Sequence, residues 1–251
     1  MKRTVVTVAF LLVSLMSPLV ASASHSWNGY HWARTVNPFT LKLGDNVSGI
    51  WDTHLATASG DWSQSTVLDT PVVSGLSNVK NCKPTSGRVE VCNNKYGNNG
   101  WLGIAQIWAS GSHIYKGATK VNDTYFSRPT YNTTAWRNLV MCQEIGHTLG
   151  LDHQDETFNN PNLGTCMDYT NNPSTNQHPN QHDYDELGII YAHLDSITTV
   201  GRALSPNVKG DFEDRSEWGK QVKAKGKTAV FERDLGGGHK LFTFVIFAVD
   251  N

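Results

Sequence analysis

The chain has no surplus of either charge: 21 lysines and arginines stand against 22 aspartates and glutamates over 251 residues, a formal net charge of −1. A protein that neutralises a phosphate backbone needs a basic excess, so nucleic acid is not an expected partner. Beyond residue 23 there is no apolar run long enough to span a bilayer. There are no internal repeats and no EF-hand spacing. Cysteine is scarce, at four residues. The length fits one large domain, or one domain with a small appendage.

The first 23 residues are the exception to the missing apolar run. Lys2 and Arg3 precede an apolar stretch from Val5 to Val20, which ends in Ala21-Ser22-Ala23, a small-x-small cleavage pattern. Residues 1–23 therefore read as a secretory signal peptide, with Ser14, Ser17 and Pro18 interrupting a run already short for a membrane anchor. Its removal takes two basic residues and no acidic one, leaving a mildly acidic secreted protein with no membrane association after cleavage. An exported chain keeps disulfides. The four cysteines allow three connectivities, and the turn-forming Lys83-Pro84-Thr85-Ser86-Gly87 favours a local Cys82–Cys92 pair.

Periodicity gives a coarse element order. Phe39 to Leu43 alternates like a half-buried strand and meets a turn signal at Gly44-Asp45-Asn46. Trp51, Leu55, Ala58 and Trp62 follow at helical spacing. Val67 to Val73, Val89 to Val91, Leu102 to Trp108 and Ile114 to Val121 read as strands. An amphipathic helix runs from about Thr134 to Leu149, with Asn132-Thr133-Thr134 as capping candidates. An irregular Asn-, Pro- and Gln-rich loop spans Asp155 to Gln181, and Asp183 to Leu194 is helical again. Residues 24–195 thus form the main domain. Residues 196–210 read as a linker, and residues 196–251 as a whole as linker plus a small β-hairpin appendage, Thr228 to Phe231 and Leu241 to Val249, whose last strand is apolar on both faces. The eight tryptophans are scattered through these elements and read as core rather than as a carbohydrate platform. Asn46, Asn122 and Asn132 begin N-glycosylation sequons, meaningful only in a eukaryotic host.

The chemistry is concentrated in Cys142-Gln143-Glu144-Ile145-Gly146-His147-Thr148-Leu149-Gly150-Leu151-Asp152-His153. Positions four apart share a helix face, so Gln143 and His147 point the same way with Glu144 beside them. Gly150 is suited to the left-handed conformation that ends a helix and returns the chain, bringing His153 to the same point.

These residues resemble the signature of the metzincin metalloproteases, His-Glu-x-x-His-x-x-Gly-x-x-His with a downstream methionine turn. Glu144, His147, Gly150 and His153 occupy matching places, and Cys166-Met167-Asp168-Tyr169 stands where the methionine turn belongs; Gln143 replaces the first histidine. Within that clan the segment from Gly146 to His153 looks matrixin-like. The resemblance implies an α+β (mixed α/β) fold: a twisted, mostly parallel sheet, a backing helix, an active-site helix and a smaller lower half. Leu102 to Trp108 or Ile114 to Val121 would then supply the sheet edge that pairs with an extended substrate.

The resemblance also implies roles. His147 and His153 would bind Zn2+, with Gln143 as a weaker amide ligand; otherwise Gln143 hydrogen-bonds water and His113, His178 or His182 replaces it. Glu144 would act as general base and pass the proton to the leaving amine. Met167 would floor the metal, and Tyr169 is a candidate for steadying the tetrahedral intermediate. A Cys142–Cys166 bridge would pin the two walls of the site. The expected function is that of a secreted, monomeric zinc endopeptidase acting on peptide or protein substrates. The alternative is a non-catalytic secreted protein binding a peptide or glycan on the same scaffold. Loop Asp and Asn residues are candidates for Ca2+. His25, His31, His54, His193 and His239 read as solvated or structural.

Overall fold

Strand segments with buried side chains on both faces need neighbours on both edges and cover on both sides, and one large mixed sheet supplies the neighbours. The computed structural model describes residues 24–202 and 214–248. The expected signal peptide, 1–23, and residues 203–210 of the expected linker lie outside them. In chain order the elements are β1 (His31–Trp32), β2 (Phe39–Thr40), β3 (Leu43–Asn46), α1 (Trp51–Trp62), β4 (Leu68–Asp69), β5 (Val72–Ser74) and β6 (Val89–Asn94). Then come β7 (Trp101–Ser110), β8 (His113–Asn122), the short α2 (Asp123–Phe126), α3 (Thr134–Thr148) and α4 (Gln181–Ile190). The chain closes with β9 (Lys220–Lys225), β10 (Thr228–Gly236) and β11 (His239–Phe247).

The sheet runs β5-β3-β6-β8-β7-β11-β10-β9, with β1 paired to β8 and a separate β2-β4 pair. Its first half is parallel and its second half antiparallel. With α3 lying on β7 and β8, and α1 packed on α3, the fold is mixed α+β. The Thr133 side chain caps α3 by accepting from the Trp136 N–H at 3.2 Å. Asn180 and Asp183 form a capping box on α4. All eight tryptophans are buried. No described helix is long and apolar enough to cross a membrane. Asn46 and Asn122 are also buried, and Asn122 caps α2 through the Thr124 N–H, so these two sequons are structural positions in the fold.

Four sequence expectations change. Gly44-Asp45-Asn46 is strand, not turn, because β3 is flanked on both sides by β5 and β6. Gly44 is needed there for space: a Cβ would lie 2.1 Å from Arg88 Nη2 and 2.4 Å from Glu90 Oε2. The Val67–Val73 strand breaks into β4 and β5 around Thr70-Pro71, where proline has no N–H to continue the ladder. Residues 198–201 of the expected linker are docked: the Thr199 N–H donates to the Ala33 carbonyl, its hydroxyl to the Ile114 carbonyl at 2.6 Å, and the Gly201 N–H to the Gly87 carbonyl.

The fourth change is the largest. The hairpin beyond Asp195 does not stand apart as an appendage; with β9 it makes a three-stranded extension of the main sheet. β11 pairs antiparallel with β7 from His239 opposite Ser110 to Phe247 opposite Trp101. Its two apolar faces are the reason, since Leu241, Phe242, Phe244, Val245 and Ile246 are all buried. β7 and β8 are consequently interior strands, and neither offers the free edge expected for an extended substrate.

Candidate active site

Helix α3 carries Gln143, Glu144 and His147 into the interior, all at most 2% exposed. Gln143 and His147 lie on one helix face. The His147 Nδ1–H donates to the Leu151 carbonyl at 2.9 Å, which leaves Nε2 with its lone pair. The chain then reverses at Gly150, whose φ of +97° and close approach to the Tyr30 carbonyl, 2.3 Å from where a Cβ would sit, both demand glycine. The reversal places the His153 ring 4.5 Å from the His147 ring, edge to face. Gly150→Ala should therefore lower stability by about 1–3 kcal/mol or more, from backbone strain plus that collision; urea unfolding with unchanged slope checks it.

The methionine-turn segment closes the other wall. Cys142 and Cys166 are disulfide-bonded, as are Cys82 and Cys92. The Gln154 N–H donates to the Met167 carbonyl at 2.7 Å. Met167 is fully buried beneath the helix, its sulfur 2.6 Å from where a Cβ on Gly146 would stand, beside Trp62. The Cys142–Cys166 bridge closes a loop of sequence separation 24. Replacing both cysteines by serine should cost about 3 kcal/mol by chain entropy, read as a drop in unfolding midpoint. The Tyr169 ring lies 4.0 Å from that of His153, and its hydroxyl oxygen accepts from Thr228 on β10. Burial pushes the Tyr169 phenol well above its usual range.

Electrostatics follow from burial. Desolvation, then the neighbouring His153, takes His147 down to about 3, and desolvation lowers His153 as well. Both rings are neutral, the form that binds metal. Burial pushes Glu144 well above the ordinary carboxylate range, opposed by a hydrogen bond from the Ala105 backbone. Its carboxylate packs on β7: a Cβ on Gly103 would lie 2.8 Å from Glu144 Oε1. Burial acts to raise Asp152, but hydrogen bonds with His153 and Lys223 outweigh it and hold the carboxyl below its usual value. Lys223 of β9 bridges Asp152, at 2.6 Å, and Glu156.

Both polar atoms of the Gln143 amide are buried without a hydrogen-bond partner, and so is Glu144 Oε2. Buried amides are rarely left so. A cation beside the Gln143 oxygen and the free His147 Nε2 would satisfy that oxygen, leaving the amide N–H2 as a donor, so the donor types present fit a metal held by two imidazoles and one amide. The substitutes for Gln143 lie elsewhere. His178 binds Asp61 at 2.7 Å, His182 stacks on His25, and His113 belongs to another cluster. Among the described residues, both groups of three or more His, Cys, Asp or Glu donors contain histidine.

Two positions in contact with the candidate site had no signal in the sequence. Lys223 sits in a strand that is almost wholly exposed. Phe244 of β11 stacks flat on His147, with centroids 4.4 Å apart and planes at 10°; only the pairing of β11 with β7 puts it there.

No family model matches the chain, and no curated protein matches it. Among solved structures it is similar to myroilysin, at 12% identity over 67% of this chain and 98% of that one, with a TM-score of 0.39. It is also similar to high choriolytic enzyme 1, a hatching enzyme zinc-protease from Oryzias latipes (medaka fish). There the identity is 10% over 66% of this chain and 96% of that one, with a TM-score of 0.36.

Proposed function

We propose that the protein is a secreted, matrixin-like zinc endopeptidase of the metzincin type. The observation that carries this reading is the unpartnered, buried Gln143 amide on the same helix face as a histidine whose Nε2 is free, with His153 folded back beside it. His147, His153 and the Gln143 oxygen would hold Zn2+. The metal, when bound, supplies Lewis acidity and makes water a nucleophile near neutral pH. Glu144 takes a proton from the attacking water and delivers it to the leaving amine. Burial raises its proton affinity in the direction a general base needs. Met167 supports the histidines from below, and Tyr169, held by Thr228, steadies the tetrahedral intermediate.

Because β11 fills the edge of β7, a peptide does not reach the site by pairing with that strand. An open cleft lined by Phe158, Asn160, Asn162, Thr170 and Asn171 borders Tyr169 through Phe158, and it is the side from which substrate approaches. Cleavage of a mixed peptide library by the secreted protein, with and without a zinc chelator, tests the reading. Chelator-sensitive cleavage supports it; no cleavage by folded, zinc-loaded protein overturns it in favour of a peptide- or glycan-binding role. Gln143→His should tighten zinc at this site, since imidazole is the stronger donor, and isothermal titration measures that change.

A further inference from the structure

A second cluster of metal-ligating side chains lies away from α3, where β1, the β7–β8 turn and the segment after α4 meet. His31 stands opposite His113 in the parallel β1–β8 register. The chain leaving α4 adds His193 and Asp195. Asp195 Oδ1 lies 3.5 Å from His31 Nε2, 3.2 Å from His113 Nε2 and 3.6 Å from His193 Nε2, while His193 Nε2 and His31 Nε2 are 3.2 Å apart. Four donors placed tetrahedrally at zinc–ligand bond lengths of 2.0–2.1 Å stand roughly 3.3–3.4 Å from one another. These four separations scatter about that value, and His31, His113 and Asp195 each offer one donor atom within 4.8 Å of the other two, with His193 beside His31 and Asp195.

The surroundings orient these donors as a metal site requires. The His31 Nδ1–H donates to the Gly29 carbonyl at 2.8 Å, so the neutral ring presents a lone pair at Nε2. That lone pair faces the carboxylate oxygen Asp195 Oδ1, and two acceptors at this distance repel unless a cation sits between them. The other Asp195 oxygen is occupied, accepting from the Arg34 backbone N–H at 3.1 Å and from Arg34 Nη1 at 2.8 Å. Arg34 also donates to the His193 carbonyl, fixing the backbone between the last two donors. The His31 and Asp195 side chains are 6% and 9% exposed, whereas His113 and His193 are 32% and 54% exposed. The site is half-open, which gives a metal its entry path.

We propose that His31, His113, His193 and Asp195 form a structural zinc site distinct from the His147–His153 centre. Three imidazoles and one carboxylate are a borderline-soft set suited to zinc rather than calcium or magnesium. The ion would clamp strand β1 and the chain after α4 onto the β7–β8 turn, joining the start and the end of the 24–195 region. The rival occupant of the central space is a proton on one of the rings.

The test uses the full secreted chain and zinc alone. His113→Ala/His193→Ala removes the two exposed donors, sparing the buried His31–Asp195–Arg34 framework. After zinc loading and gel filtration, elemental analysis should find one zinc per chain fewer in the variant than in the wild type, with the residual affinity of the site reduced at least about a hundredfold. The wild-type unfolding midpoint should climb with zinc across a range that leaves the variant unmoved. Equal zinc content in the two proteins overturns the proposal and leaves the proton. Should the double variant fail to fold, zinc-edge anomalous diffraction of the wild type decides, with a peak among the four donors or none. One zinc in the wild type and none in the variant would support this site while removing the metal from the catalytic reading, so the two readings fail separately.

Discussion

Glu144→Gln is expected to lower peptide cleavage by about 10²–10⁴-fold while zinc content and unfolding midpoint stay close to those of the wild type. The substitution is nearly isosteric. It exchanges a fully buried carboxylate, one of whose oxygens has no partner, for a neutral amide of the same shape, so the fold has little reason to change. What disappears is the ability to accept a proton from water and return it to the departing amine. A loss of that size with zinc retained separates a base from a ligand, because removing a ligand would release metal. Full activity in the variant would sink Glu144 as general base and shift attention to water activation by the metal alone. Absence of activity in both proteins would favour the binding-protein alternative.

Local structure was legible wherever a physical device lies within a few residues. The cap on α3, the helical spacing of Trp51, Leu55, Ala58 and Trp62, and the left-handed Gly150 all act over one or two turns. The motif from Gln143 to His153 was readable for the same reason, since helix periodicity and one glycine determine that the two rings meet. Long-range pairing was not legible. β9 is mostly exposed, with Val222 and Ala224 set among lysines, and no strand is expected there from the sequence, although Lys223 reaches Asp152 and Glu156 from it. The both-faced apolar pattern of Leu241 to Ile246 announced burial without naming the neighbour, which is β7. The histidine–aspartate cluster is the extreme case. Its donors sit at positions 31, 113, 193 and 195, far apart in sequence, and only the β1–β8 register and the docked chain after α4 bring them together.

Phe244→Ala is expected to lower the unfolding free energy by about 3–5 kcal/mol, in one cooperative transition. Phe244 is 1% exposed and belongs to the same buried cluster as Leu102, Val140, Ile145 and Met167. Its ring lies flat on His147 and meets Trp27 edge to face at 5.1 Å. Truncation removes those contacts and leaves a cavity bounded by β7, which the rigid ladder between β7 and β11 cannot collapse to fill. The shape of the transition carries as much information as its midpoint. If β9 to β11 were an independent appendage, the variant would show two transitions, the first small and insensitive to Gly150→Ala. Because β11 is built into the sheet beside the candidate site, tryptophan fluorescence and far-UV circular dichroism should instead move together, with an unchanged denaturant slope. Separate transitions for the two probes would refute the integrated sheet, and would free the edge of β7 for the substrate pairing that β11 now prevents.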